Sequence, residues 1–316
     1  MSKKLFRRYA SLLACGSLVF AVGSLCAQSQ EDETERDWAP SGRGVGTRHH
    51  YGPQSDRLGP ARKPPTGNGI NYHGGPIILG GTHVYYIWYG NWSGNSATTI
   101  LTDLAQSIGG SPYFNINTTY YDSSNSHVAN SVSYKGSAFD NYSRGASLSD
   151  ADVQTIVTNA INTGQVPSDT EGVYFVLTSA DVNEKSGFCT NYCGWHTNAS
   201  INGQDIKYAF VGNGDRCPSA CEAQTTSPNG NAGADGMASV IAHELEEATT
   251  DPDLNAWYDT RGEENADKCA WTFGATSRAS NGSLYNMTLP TQQPNRHYLI
   301  QRNWVNASGG YCALSY

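Results

Sequence analysis

Apolar positions recur along the chain with two different periods. From Thr82 to Trp88 the residues are β-branched and aromatic, and Gly80-Gly81 and Gly90-Asn91 bound them, which predicts a buried strand. In "SATTILTDLAQSIGG" the spacing changes: Ile100, Leu101, Leu104 and Ile108 share one helical face, and Gly109-Gly110 ends it. "YFNINTTYYD" (113–122) and "HVANSVSYKG" (127–136) alternate as strands of a half-exposed sheet would. "SLSDADVQTIVTNAINTG" predicts a second helix, capped near Ser149 and stopped by Gly164. "GVYFVLTSADV" and "IKYAFVGNG" predict two more strands. Met237, Val240, Ile241, Leu245 and Ala248 then return at helical spacing, with Asp235 and Gly236 at the start of that helix and Pro252 closing it. The rest is loop-rich, and no internal repeat is visible. This order predicts one α+β domain over residues 70–316, a mixed sheet with helices followed by an irregular C-terminal part.

The first 69 residues do not share the pattern. Lys3, Lys4, Arg7 and Arg8 precede an apolar run from Leu12 to Leu25, and Cys26-Ala27 leads into polar residues. That is the layout of a secretory signal peptide over residues 1–27. The run is too short and too broken by Gly and Ser for a membrane anchor. Residues 28–69 are charged, rich in Pro and Gly and nearly free of aliphatic side chains, which predicts a disordered leader or a pro-segment.

Export alters the charge. The whole chain carries 20 Lys+Arg against 28 Asp+Glu, a net of −8, and loss of the four basic signal-peptide residues takes it to −12. Such a surface repels nucleic acid and anionic membrane. Six of the eight cysteines stay in the mature chain: Cys189, Cys193, Cys217, Cys221, Cys269 and Cys312. In an oxidising compartment they are expected to form three disulfides. Spacing does not dictate the pairing; the expectation here joins the two C-x3-C segments to each other and Cys269 to Cys312.

Chemistry concentrates in the third helix, at His243-Glu244-Leu245-Glu246-Glu247. It begins as the zinc-protease motif H-E-x-x-H does, with glutamate at the second ligand position. Positions four apart share a helix face, so His243 and Glu247 can both reach one ion, while Glu244, turned by about 100°, is placed as a general base. Zinc accepts carboxylate oxygen, although each added anion weakens its Lewis acidity and favours harder metals. A solvated acidic helix face is the bland alternative. Downstream, "WYDTRGEENADKCAW" offers Glu263, Glu264 and Asp267 as a third ligand; Asp251, Asp253 and His196 are further candidates, His196 more readily as a core histidine. Trp257, Tyr258, Trp271 and Trp304 suit a polysaccharide platform or, equally, an ordinary core.

"YHGGPIILGGTHVYYIWYGNW", "FCTNYCGWH", "YAFVGNGDRCPSAC", "PNGNAGADGMASVIAHELEEATTDPDLNAWY" and "DKCAW" together resemble the EXORDIUM/phosphate-induced protein 1 family from about Asn71 to Cys312. The family's helix reads H-E-L-x-E, which matches Glu247, and its acidic segment, close to E-I-G-D-x-C, falls on Glu264, Asp267 and Cys269. Asn265-Ala266 depart from it. The resemblance implies a secreted, cell-wall-associated protein and a zincin-like fold, and it favours Glu264 or Asp267 as the third ligand; it implies no substrate. The resulting expectation is a secreted monomer without a membrane anchor. It holds zinc on His243, Glu247 and Glu264 or Asp267, with Glu244 as general base for hydrolysis of an extracellular protein or peptide. The alternative is a non-catalytic extracellular protein that keeps the metallopeptidase-like fold and recognises a cell-wall polymer or a receptor.

Overall fold

A computed structural model describes Pro40 and residues 69–291 and 295–316, all within one unit, Arg36–Tyr316. The expected signal peptide, and the leader apart from Pro40 and Gly69, lie outside the described residues.

Five strands form the central sheet: β1 (Thr82–Tyr89), β2 (Val132–Asp140), β3 (Gly172–Thr178), β4 (Gly194–Ile201) and β5 (Gln204–Val211). Their order is β2-β1-β3-β5-β4, parallel except for the edge strand β4, which runs antiparallel to β5. The mixed sheet of the expected α+β fold is therefore present. β3 at its centre is buried at every residue, as a parallel strand covered on both faces must be.

Helices α1 (Ala97–Ser107) and α2 (Asp150–Asn162) form the crossovers β1→β2 and β2→β3. Tyr86 donates its hydroxyl proton to the Leu101 carbonyl of α1, while the next residue, Ile87, lines one cavity with Ile156 of α2. The two helices thus cover opposite faces, as alternation along a strand requires. α1 buries Ile100, Leu101 and Leu104, the residues whose spacing predicted it.

The third helix, α3 (Ala232–Thr250), begins earlier than expected, with the Asn231 side chain accepting from the Ala234 N–H. Gly233 and Gly236, which look like breakers, are required by close approach. A Cβ at Gly233 would stand 2.4 Å from the Asn213 and Asp215 side chains, and one at Gly236 would stand 2.9 Å from the Cys221 carbonyl oxygen. α3 packs against α1, β4 and β5.

Two further expectations are corrected. Phe114–Thr119 is a 3-10 helix and not a strand, because the Ser111, Thr118 and Thr119 hydroxyls there satisfy local backbone groups. The strand expected at 127–136 is displaced to Val132–Asp140. Beyond α3 the chain runs through loops and short antiparallel pairs, including Asn303–Val305 with Tyr311–Ala313. Three disulfides join Cys189 to Cys217, Cys193 to Cys221 and Cys269 to Cys312, in the pairing expected.

Candidate metal centre

α3 is buried on all sides yet carries three glutamates and a histidine in two turns. His243, Glu244, Glu246 and Glu247 are each 0 % exposed. Burying a carboxylate without a partner is costly, so the partners of each one decide what the helix can do.

Glu247 sits at the middle. Its Oε1 lies 2.9 Å from His243 Nε2 and accepts the Asp267 N–H at 3.0 Å. His243 Nε2 is also 3.4 Å from Asp267 Oδ1. His243, Glu247 and Asp267, three of the expected residues, therefore converge on one point. Two atoms bound to one zinc at about 2.1 Å stand about 3.4 Å apart in a tetrahedron. The His243–Asp267 spacing of 3.4 Å equals that, the His243–Glu247 spacing of 2.9 Å is the shorter one of an ion pair, and two carboxylates with one imidazole form an acceptable zinc donor set.

Glu264 does not join that group. Its Oε1 lies 3.5 Å from His196 Nε2, the ring edge that also approaches the Asp251 carbonyl oxygen at 3.3 Å. The other edge of His196 faces α3, with Nδ1 3.4 Å from Glu244 Oε2 and 3.6 Å from Glu247 Oε2. His196, Glu244 and Glu247 form a second group of potential ligands. His196 is fully buried. Its place beside Glu244 is what sequence reasoning missed.

The remaining candidates stand apart. Asp251 accepts the Asn255 and Ala256 N–H groups at 2.6 Å each, closing the turn after α3. Asp253 lies 3.9 Å from Lys207. Glu263 belongs to neither group. Glu246, on another face of α3, accepts from Asn303 Nδ2.

The segment carrying Glu264 and Asp267 is held from below. Asp259, fully buried, accepts the Arg261 and Glu263 N–H groups and pairs with Lys268 at 2.7 Å. Cys269, two residues beyond Asp267, is bridged to Cys312.

The electrostatics follow from this crowding. Burial pulls the His243 pKa down, but Glu247, Asp267 and Glu244 outweigh it and push it up to about 10. Burial alone would raise Glu247, yet His243 and His196 hold it down to about 2. Glu244 is pushed up to about 7 by burial and by Glu247, with His196 opposing. Without an ion the centre is thus a set of imidazolium–carboxylate pairs. A metal would have to displace protons from both histidines to bind them.

The centre is enclosed. Of its residues only Asp267 reaches the surface, with 18 % of its side chain exposed. At Gly194 of β4 an added Cβ would stand 2.5 Å from Val240 Cγ1 and 3.1 Å from Glu244 Oε1, so the edge strand lies directly on the helix. Two cavities among the described residues, of 660 and 330 Å³, are lined by other parts of the chain.

Residues 70–308 match the family described as the phosphate-induced protein 1 conserved region. Protein EXORDIUM-like 5 of Arabidopsis thaliana is 32 % identical over 276 residues, covering 74 % of this chain and 75 % of that protein. Protein EXORDIUM-like 3 of the same plant is 32 % identical over 279 residues, covering 77 % and 82 %. Protein PHOSPHATE-INDUCED 1 of Nicotiana tabacum is 28 % identical over 227 residues, covering 62 % and 69 %. No solved structure matches.

Proposed function

The chain belongs to the phosphate-induced protein 1 (EXORDIUM) family, and from that premise we propose that it is a secreted metalloprotein with a zincin-like fold. The ion, zinc in the first instance, is held by His243, Glu247 and Asp267. The convergence of His243 Nε2, Glu247 Oε1 and Asp267 Oδ1 carries this reading. The mixed sheet with an antiparallel edge strand lying on the H-E-x-x-E helix supports the fold assignment, and three disulfides suit an oxidising, extracellular setting.

Enclosure favours a structural or recognition role over turnover. A general base must touch water and substrate, whereas Glu244 is 0 % exposed and the edge strand closes over it. In this reading the metal braces the C-terminal segment against α3, and the surface recognises a cell-wall polymer or an extracellular protein.

Hydrolysis of an extracellular protein or peptide is the second reading, favoured by the position of Glu244. It follows the ligand His243 in sequence, its carboxylate is near neutral pKa, and His196 orients it at 3.4 Å. A bound zinc would supply Lewis acidity and lower the pKa of a water. The chain's own contribution would be Glu244 as proton acceptor, His196 positioning it, and β4 excluding solvent.

Metal content of the exported protein, purified without chelator and measured by mass spectrometry, tests the first reading. His243→Ala should lose the ion; a metal-free protein that also rejects added zinc would refute the assignment. A peptide-library cleavage assay separates the two readings, since activity abolished in Glu244→Gln requires the hydrolase.

A further inference from the structure

We propose that the centre holds two divalent cations bridged by Glu247, the second lying on His196 Nδ1, Glu244 and Glu247 Oε2. This rests on the metal reading of the first position and adds a site to it. Glu247 presents a different oxygen to each side: Oε1 is 2.9 Å from His243 Nε2, and Oε2 is 3.6 Å from His196 Nδ1. A carboxylate shared in this way suits ions about 3.5–4 Å apart, the spacing of two-metal centres. His196 and His243 fall in different ligand groups, so each ion takes one imidazole.

Two independent observations point to an ion at the second position. Glu247 Oε2 is fully buried and accepts no hydrogen bond, although it faces that group. His196 is also prepared as a ligand. Its Nε2–H is directed at the Asp251 carbonyl oxygen at 3.3 Å, with Glu264 Oε1 at 3.5 Å, so an ion that displaces the Nδ1 proton meets a lone pair facing Glu244 at 3.4 Å and Glu247 at 3.6 Å. Such outer partners orient metal-binding histidines.

The charges agree. Glu244, Glu247, Glu264 and Asp267 bring four carboxylates, each within ion-pair range of one or both histidines. When those histidines are neutral ligands and all four carboxyl groups are ionised, one divalent ion leaves two negative charges in a nearly closed space, and a second ion removes them.

The test is a metal count on the full chain, stripped with chelator, reloaded with Zn²⁺, desalted and measured by mass spectrometry, with circular dichroism to confirm folding. Two ions per chain are expected, falling to one in His196→Ala and in Glu244→Gln, and to none in Glu247→Ala. Reloading with Mn²⁺ should give the electron paramagnetic resonance spectrum of an exchange-coupled pair. One ion in the wild type, unchanged by His196→Ala and Glu244→Gln, would overturn the second position and leave the first intact. No ion would overturn both, and two uncoupled Mn²⁺ spectra would overturn the bridge. If His196→Ala does not fold, Glu244→Gln, which keeps the side-chain volume, decides the count.

Discussion

Gly194 sets how closely β4 lies on α3, and it is the residue where a single methyl should do most. An added Cβ would meet Val240 Cγ1 at 2.5 Å, the Phe210 carbonyl oxygen at 2.9 Å and Glu244 Oε1 at 3.1 Å. Backbone on one side and helix on the other leave little room to relax, so Gly194→Ala should cost about 1–3 kcal/mol, as overpacking does. The midpoint of urea unfolding measures it; an unchanged midpoint would mean that strand and helix are not in contact in solution. His196 stands two residues along the same strand. The sequence offers it only as a further candidate, because its partners lie 48 and 51 positions away. By contrast, His243, Glu244 and Glu247 were legible because helix geometry fixes their relation locally. Asp267 and Glu264 were legible only as alternatives: both are acidic and near Cys269, and tertiary packing sends one to His243 and the other to His196.

Among the elements, α2 offers the clearest test of local chemistry. Ser149 and Asp152 form a capping box, with the Ser149 hydroxyl accepting the Asp152 N–H and the Asp152 carboxylate accepting the Ser149 N–H. Ser149→Ala should cost about 1 kcal/mol, read from thermal or urea unfolding. The Ser149 hydroxyl and N–H, aided by Arg144, hold the Asp152 pKa at about 2, below the ordinary value of 3.8. A depressed carboxylate stabilises the fold above its unfolded pKa and ceases to do so as pH falls through its folded one. The wild type should therefore lose stability between about pH 4 and 2 relative to Asp152→Asn, and a difference independent of pH would refute the box. This cap was readable because its partners are three residues apart. Strands β1, β3 and β5 were equally plain, each being an apolar run. β4 was missed because "GWHTNASI" is largely polar, yet the Asn202-Gly203 pair after it, with φ of 53° and 77°, is a strong hairpin signal. The 3-10 segment at Phe114–Thr119 misled because its apolar and polar residues alternate as a strand's do.

At the scale of the whole molecule the disulfides divide the work of holding the centre together. Cys189–Cys217 and Cys193–Cys221 each span 28 residues and tie the approach to β4 to the segment before α3, whereas Cys269–Cys312 spans 43 and anchors the acidic loop. Loop-closure entropy assigns roughly 3–4 kcal/mol to such a bridge acting alone. The first two close nearly the same loop, so removing one leaves the other to constrain the unfolded chain. Replacing Cys193 and Cys221 by serine should consequently cost less than replacing Cys269 and Cys312, which have no such substitute. If the proposed ion is bound, the second replacement should also reach it. Asp267 lies two residues from Cys269, and its N–H donates to Glu247 Oε1. Freeing the loop should weaken zinc binding by roughly tenfold or more, the scale on which outer supports act, while the Cys193/Cys221 variant, whose loss leaves the acidic loop anchored, should bind the first ion nearly as the wild type does. Competition with a zinc indicator dye, run on both variants at a temperature where each remains folded, separates this from general loss of stability. Equal affinity in the two would show that the acidic loop keeps its place without the bridge.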